Sequence, residues 1–168
     1  MTTATDAPSG VSFTLNNQPL TAASDETILQ AARRHGVDIP HLCYADGLAT
    51  AGNCRACVVE IEGERVLAPS CCRAPTEGMK VSSDNERARR SQSLVLELLR
   101  GEVGDASHTQ ESELDHWCER YELKRSRFGG RNQPAEDISH PAIAVNLESC
   151  IQCTRCVRAC REEQMNDV

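Results

Sequence analysis

The chain has 168 residues, enough for one full domain or two small ones, and its formal net charge of −7 argues against a nucleic-acid partner. Aromatic residues make up only 3% of it, with Trp117 the single tryptophan, so its ten cysteines are the candidate staples for a core short of large side chains. No apolar stretch approaches the roughly 18 residues of a membrane span, and MTTATDAPSG lacks the regions of an export signal. The cytoplasm is therefore the expected location. Thiols stay reduced there, so CxxC spacings read as metal ligands before disulfides.

Residues 1–10 read as a disordered tail. VSFTL (11–15) alternates as a strand does. Asn16–Pro19 reads as a turn, and Leu20–Ala23 as the returning strand. Ser24 or Asp25 would cap a helix over ETILQAARRHG, with Gly36 closing its C-terminus. A loop from Val37 to Gly52 carries the first cysteine. Cys57–Ile61 and Arg65–Ala68 form a second hairpin around Glu62-Gly63-Glu64, and Met79–Val81 a last short strand. These elements predict a compact α+β domain over 11–84. A helix follows over 85–100, with Leu94, Val95, Leu98 and Leu99 on one side and Gly101 and Gly104 ending it. Leu114, Trp117 and Tyr121 predict a short helix within 111–124, so that 85–140 is a helical connector. Ala142–Val145 reads as a strand leading into the final segment, 141–168.

Cys43, Cys54, Cys57 and Cys71 are separated by ten, two and thirteen residues, and Cys72 follows directly. Thiolates and sulfides only accept hydrogen bonds, so an iron–sulfur cluster needs backbone N–H groups close by. Gly47 and Gly52 permit that approach. A zinc ribbon is the competing reading, but it wants two CxxC knuckles and this segment has one. The segment also departs from plant-type ferredoxin, which has four residues between its first two cysteines. Cys150, Cys153, Cys156 and Cys160 form a C-x2-C-x2-C-x3-C run suited to a cubane cluster.

IPHLCYADGL, AGNCRACVVEIEGE and LAPSCCRAP resemble the N-terminal [2Fe–2S] domain of the large iron–sulfur subunit of respiratory NADH dehydrogenase. The same domain opens the diaphorase subunits of NAD-linked hydrogenases, iron-only hydrogenases and NAD-dependent formate dehydrogenases. The resemblance covers residues 11 to about 100 and implies a β-grasp ferredoxin-like fold. It implies Cys43, Cys54, Cys57 and Cys71 as [2Fe–2S] ligands, with Cys72 a buried small residue. HPAIAVNLESCIQCTRCVRACREEQ is similar to the start of the bacterial-type twin-[4Fe–4S] ferredoxin domain in those subunits. There Cys150, Cys153 and Cys156 would serve one [4Fe–4S] cluster together with a distant cysteine, and Cys160 a second cluster. On this reading 141–168 is the first half of that domain.

Between these motifs the family carries a His-x3-Cys-x2-Cys-x5-Cys site for another cluster. The corresponding stretch, RGEVGDASHTQESELDHWCERYEL, holds His108, His116 and only Cys118. One thiolate cannot replace three, so that cluster is expected to be missing and Cys118 to serve packing. With Arg161 rather than proline after Cys160, the pattern resembles formate dehydrogenase and hydrogenase subunits. It implies the iron–sulfur portion of a cytosolic NAD-dependent formate dehydrogenase. In that family molybdopterin with molybdenum or tungsten lies outside this segment, and a flavin-bearing partner reduces NAD. A hydrogenase or NADH-dehydrogenase subunit is the alternative, and a stand-alone metal-binding module a third. The chain shows neither a nucleophile–base pair nor a phosphate-binding glycine loop, so no catalytic residue is expected in it. Arg155, Arg158 and Arg161 read as a basic stretch that shields cluster charge or docks a partner.

Overall fold

In the computed structural model, which describes residues 10–103, 112–130, 132 and 135–166, the first alternating segment is strand β1, Val11–Leu15. Phe13 and Leu15 are buried and Ser12 is exposed. β2 spans Gln18–Ala22, paired antiparallel from Leu15↔Gln18 to Val11↔Ala22. The turn is tighter than the sequence suggests. Asn16 and Asn17 alone make it, at φ 52° and 64°, the double left-handed geometry that follows strand twist and that asparagine tolerates. Pro19 therefore lies within β2, an edge strand. It faces Thr14, whose own N–H goes the other way to Met79 O at 2.8 Å, so the missing proline N–H leaves no gap.

Helix α1 is Ile28–Arg34, and its cap is Thr27 rather than Ser24 or Asp25. The Thr27 hydroxyl accepts from the Gln30 N–H at 3.3 Å while the Gln30 side chain accepts from the Thr27 N–H at 2.8 Å, a capping box. Gly36, at φ 74°, closes the far end: its N–H reaches Arg33 O at 3.0 Å and that of Val37 reaches Ala32 O at 2.9 Å. Ile28, Leu29, Ala31 and Ala32 are fully buried.

β3 (Val58–Ile61), β4 (Ala68–Pro69) and β5 (Lys80–Ser82) complete a mixed sheet in the order β2-β1-β5-β3-β4. β5 runs parallel to β1 and antiparallel to β3. A parallel pair cannot be joined by a tight hairpin, and the chain between β1 and β5 supplies the long connection. The expected α+β architecture holds for this part.

The chain forms two compact units. One is built from the segment ending at Ile39 with Cys57–Arg89, the other from Pro40–Ala56 with the chain from Arg90 onward. The loop bearing Cys43 and Cys54 thus belongs to the same unit as the C-terminal cysteine run.

α2 spans Glu86–Val103. The Asn85 side chain accepts from the Ala88 N–H at 2.9 Å, as a cap does. In the second unit its buried face carries Gln92, Val95, Leu96, Leu99 and Val103, at helical spacing. Leu94 and Leu98, expected on the apolar side, are 41% and 44% exposed. They sit on the opposite edge from Leu96, which is completely buried. α3, Glu113–Arg120, is capped by Ser112 and buries Leu114, Trp117 and Cys118. These three join Leu42, Ala56, Leu96 and Val103 in one apolar cluster.

Gly101 does not end α2; it lies inside the helix. It is needed for close approach. A Cβ there would stand 2.7 Å from Ser126 Oγ and 3.3 Å from Phe128 O. The contact is reciprocal, since a Cβ on Gly130 would stand 2.8 Å from Gly101 O, whereas one on Gly129 meets open space. Gly130→Ala is therefore expected to destabilise by about 1–3 kcal/mol, and Gly129→Ala to cost much less. Thermal melts of the two variants check this.

The same helix carries a buried carboxylate. Glu97 accepts from Arg127 Nε at 2.8 Å, Nη2 at 2.7 Å and the Arg127 backbone N–H at 2.9 Å. The guanidinium fork, then the backbone donor, hold its carboxyl down at about 2, against the opposing effect of burial. The folded value lies below the ordinary 4.5, so this stabilisation is whole above pH 4.5 and is lost as pH falls toward 2. Wild type is expected to exceed Glu97→Gln in stability at neutral pH, with the gap closing through that acid window. Denaturant midpoints measured across pH check it.

A hairpin, β6 (Asp137–His140) with β7 (Ile143–Val145), precedes the last cysteines. Sequence reading finds only its second strand, because DISH carries no apolar alternation. The chain ends its described part in a 3₁₀ turn at Leu147–Ser149, helix α4 at Arg155–Arg158 and a π-helical turn at Ala159–Glu163. Among the described residues no helix is long and apolar enough to cross a membrane.

Candidate metal centre

In the second unit, Cys43 is 1% exposed and Cys54 half-buried. Their thiols are hydrogen-bonded to each other, which, with burial, pushes the Cys54 thiol far above its ordinary value. The backbone N–H groups of Ala56 and Cys43 also point at the Cys54 sulfur and oppose that shift. The loop creates this convergence through left-handed backbone at Gly47 (φ 85°), Gly52 (φ 65°) and Arg55 (φ 57°). Arg55 holds a conformation uncommon for a residue with a Cβ, the kind of local strain that clusters at ligand sites.

In the first unit, Cys57 and Cys71 are each 1% exposed. Ser70, completely buried, ties them down. Its N–H and hydroxyl both donate to the Cys57 carbonyl, at 3.0 and 2.7 Å, and its own carbonyl accepts from Leu29 N–H in α1 at 3.0 Å. Sequence reasoning missed Ser70; its only signal is its place immediately before Cys71. Cys72 corrects an expectation. It is exposed, not buried, with its sulfur 3.4 Å from that of Cys71. The two sulfurs lie side by side in a turn, with Cys71 on its buried side and Cys72 on its solvent side.

Taken within each unit, these thiols have the donor chemistry of an iron–sulfur group. Buried thiols with backbone N–H groups aimed at sulfur are the donor set such a cluster takes, with the metal displacing the thiol protons. Among the described residues no three His, Cys, Asp or Glu side chains come close enough together to hold a metal ion.

In the connector, Cys118 is 3% exposed within the apolar cluster, and burial raises its thiol to about 11. Its sulfur lies 4.0 Å from Leu96 O. His116 is exposed and stands edge-on to Trp117, with ring centroids 5.4 Å apart. His108 lies outside the described residues. His41, half-buried, packs against Tyr44 and Trp117 at centroid distances of 5.9 and 6.2 Å.

In the C-terminal run, Cys150, Cys153 and Cys160 are half-buried and Cys156 is exposed. Gln152 and Thr154, flanking Cys153, both adopt left-handed backbone, at φ 56° and 61°. Two arginines of this run do not simply face solvent. Arg155 donates to the Tyr44 carbonyl and to Glu113, and Arg158 to the carbonyls of Cys43 and Ala49.

The family described as a 2Fe-2S iron-sulfur cluster binding domain matches residues 9–86, the span containing Cys43, Cys54, Cys57 and Cys71. The chain is 34% identical over 165 residues to the mitochondrial NADH-ubiquinone oxidoreductase 78 kDa subunit of Candida albicans, covering 94% of this chain and 22% of that protein. It is also 34% identical over 165 residues to the NADP-reducing hydrogenase subunit HndD of Solidesulfovibrio fructosivorans, covering 92% of this chain and 28% of that protein. The chain thus spans about a quarter of the length of these curated relatives. Among solved structures, a chain of an NAD+-reducing [NiFe]-hydrogenase in the H2-reduced state matches with TM-score 0.82 and 30% identity, over 91% of this chain and 67% of that one.

Proposed function

Because the chain belongs to the [2Fe–2S] iron–sulfur family that also contains the NADH-ubiquinone oxidoreductase 78 kDa subunit and the NAD+-reducing hydrogenase chain, we propose that it is an iron–sulfur electron-transfer module of a larger cytoplasmic oxidoreductase. Its [2Fe–2S] ligands are Cys43, Cys54, Cys57 and Cys71. The observation that carries this is the Cys43–Cys54 thiol pair with two backbone N–H groups directed at sulfur, within residues matched by the family. The strand order supports the β-grasp reading of the same segment. When bound, the cluster supplies one-electron transfer, at a potential set by charge, hydrogen bonds to sulfur and exposure.

The chain's own part is to hold and shield. Burial of Cys43, Cys57 and Cys71 keeps water off three sulfurs, while Ser70 and the glycine-bearing loop fix the backbone that carries them. Cys150, Cys153 and Cys156 serve a [4Fe–4S] cluster and Cys160 a second one, as in a bacterial-type ferredoxin domain. The left-handed residues flanking Cys153 support this, since such backbone forms concave nests of N–H groups suited to anionic clusters.

The terminal reaction we assign is formate oxidation at a molybdopterin centre holding molybdenum or tungsten, with electrons leaving to a flavin-bearing, NAD-reducing partner. The connector supports it, because the stretch where the NADH-dehydrogenase and hydrogenase pattern places three cysteines has only Cys118, which is packed in a core. The names of the relatives favour the second reading, a subunit of an NAD-linked hydrogenase or NADH dehydrogenase. Assay of the complete oxidoreductase that contains this chain decides between them. Formate-dependent NAD+ reduction is the expected result. Hydrogen-dependent reduction, or NADH oxidation by quinone without formate activity, would assign the second reading.

A further inference from the structure

Four separate groups of the C-terminal run reach the loop that carries Cys43 and Cys54, all inside one unit. Arg158 spreads its guanidinium over two loop carbonyls, Nη2 to Cys43 O and Nη1 to Ala49 O, while its Nε lies 3.3 Å from Thr154 Oγ1. The Thr154 hydroxyl accepts from Asn53 Nδ2 at 2.8 Å. Glu162 accepts from the Ala49 N–H at 2.7 Å. Arg155 donates to Tyr44 O and anchors on Glu113 of α3. Ala49 is therefore gripped at both its carbonyl and its N–H, and Cys43 at its carbonyl. A guanidinium can make such a fork and an ammonium cannot.

We infer that the 154–162 segment is a clamp on the first cysteine loop, with Arg158 and Glu162 as positioning residues of opposite charge that set the electrostatics at Cys43. The inference rests on the [2Fe–2S] reading above. Arg158 places positive charge beside a proposed ligand and so favours the reduced, more negative cluster. Glu162 places negative charge nearby and disfavours it.

The test uses the whole 168-residue chain, reconstituted with iron and sulfide, as wild type, Arg158→Ala, Arg158→Lys and Glu162→Gln. Hydrogen–deuterium exchange follows the amides of 43–54, and EPR-monitored titration gives the [2Fe–2S] potential. Arg158→Ala and Glu162→Gln are both expected to speed exchange around Ala49. Their potentials are expected to move in opposite directions: down in Arg158→Ala, by about tenfold in the one-electron equilibrium (~59 mV), and up in Glu162→Gln. Arg158→Lys keeps the charge and loses the fork, so its loop exchanges faster while its potential falls less. Mere loosening would shift both potentials the same way and would overturn the electrostatic role. Unchanged exchange in both charge-removing variants would overturn the clamp. A wild-type chain that takes up no [2Fe–2S] cluster overturns the functional reading, and with it the electrostatic role, while the exchange comparison still decides the clamp.

Discussion

Cys43→Ser, Cys54→Ser, Cys57→Ser and Cys71→Ser are each expected to abolish the normal [2Fe–2S] EPR signal of the reduced chain, while Cys72→Ser leaves it intact. A serine oxygen is a harder, less readily deprotonated donor than the soft thiolate that iron–sulfur clusters select. Cys43, Cys57 and Cys71 are each 1% exposed, so substitution also leaves a polar group in a site built for a metal-bound sulfur. Cys72 is the internal control: it neighbours Cys71 in the chain, with sulfurs 3.4 Å apart, yet faces solvent. A signal that survives Cys71→Ser and vanishes in Cys72→Ser would reverse that assignment. Chelator-resistant iron, counted in the same samples, reports the loss independently of spin state.

Leu96→Ala is expected to destabilise the chain by about 2–5 kcal/mol. Leu96 is completely buried on α2, in the cluster that contains Leu114, Trp117 and Cys118 of α3. Truncation opens a void among groups held by helix geometry, which cannot close around it. Leu94→Ala, two positions away and 41% exposed, is expected to stay near the small effects of surface changes, within about 0.5 kcal/mol. Urea unfolding of both variants measures the difference. Comparable losses would mean that the exposed side of α2 is the packed one.

The pair also shows where sequence patterns end. Of the obvious apolar residues of α2, Val95 and Leu99 pack on the core and Leu94 and Leu98 do not, while the most buried positions are Gln92, Leu96 and Glu97. Two of those are polar and become buriable only through distant partners: Gln92 with the Tyr121 hydroxyl at 2.5 Å, and Glu97 with Arg127. No local periodicity encodes such pairs. Elements set by short-range chemistry read well. β1 is legible from strict alternation and the end of α1 from Gly36, while its start falls at Thr27 because the capping box with Gln30 outweighs Ser24 and Asp25. The ten cysteines and their spacing make the candidate ligands legible. The buried Ser70 anchor and the Arg158 fork are not, because each acts on backbone carbonyls distant in sequence.

Iron, acid-labile sulfide and zinc counted on the purified, anaerobically reconstituted chain, with an EPR spectrum of the same dithionite-reduced sample, test the account most directly. The expected result is a [2Fe–2S] signal that depends on Cys43, Cys54, Cys57 and Cys71, with no signal of the His-ligated [4Fe–4S] type. A chain that holds stoichiometric zinc, without labile sulfide or a [2Fe–2S] signal, would contradict it.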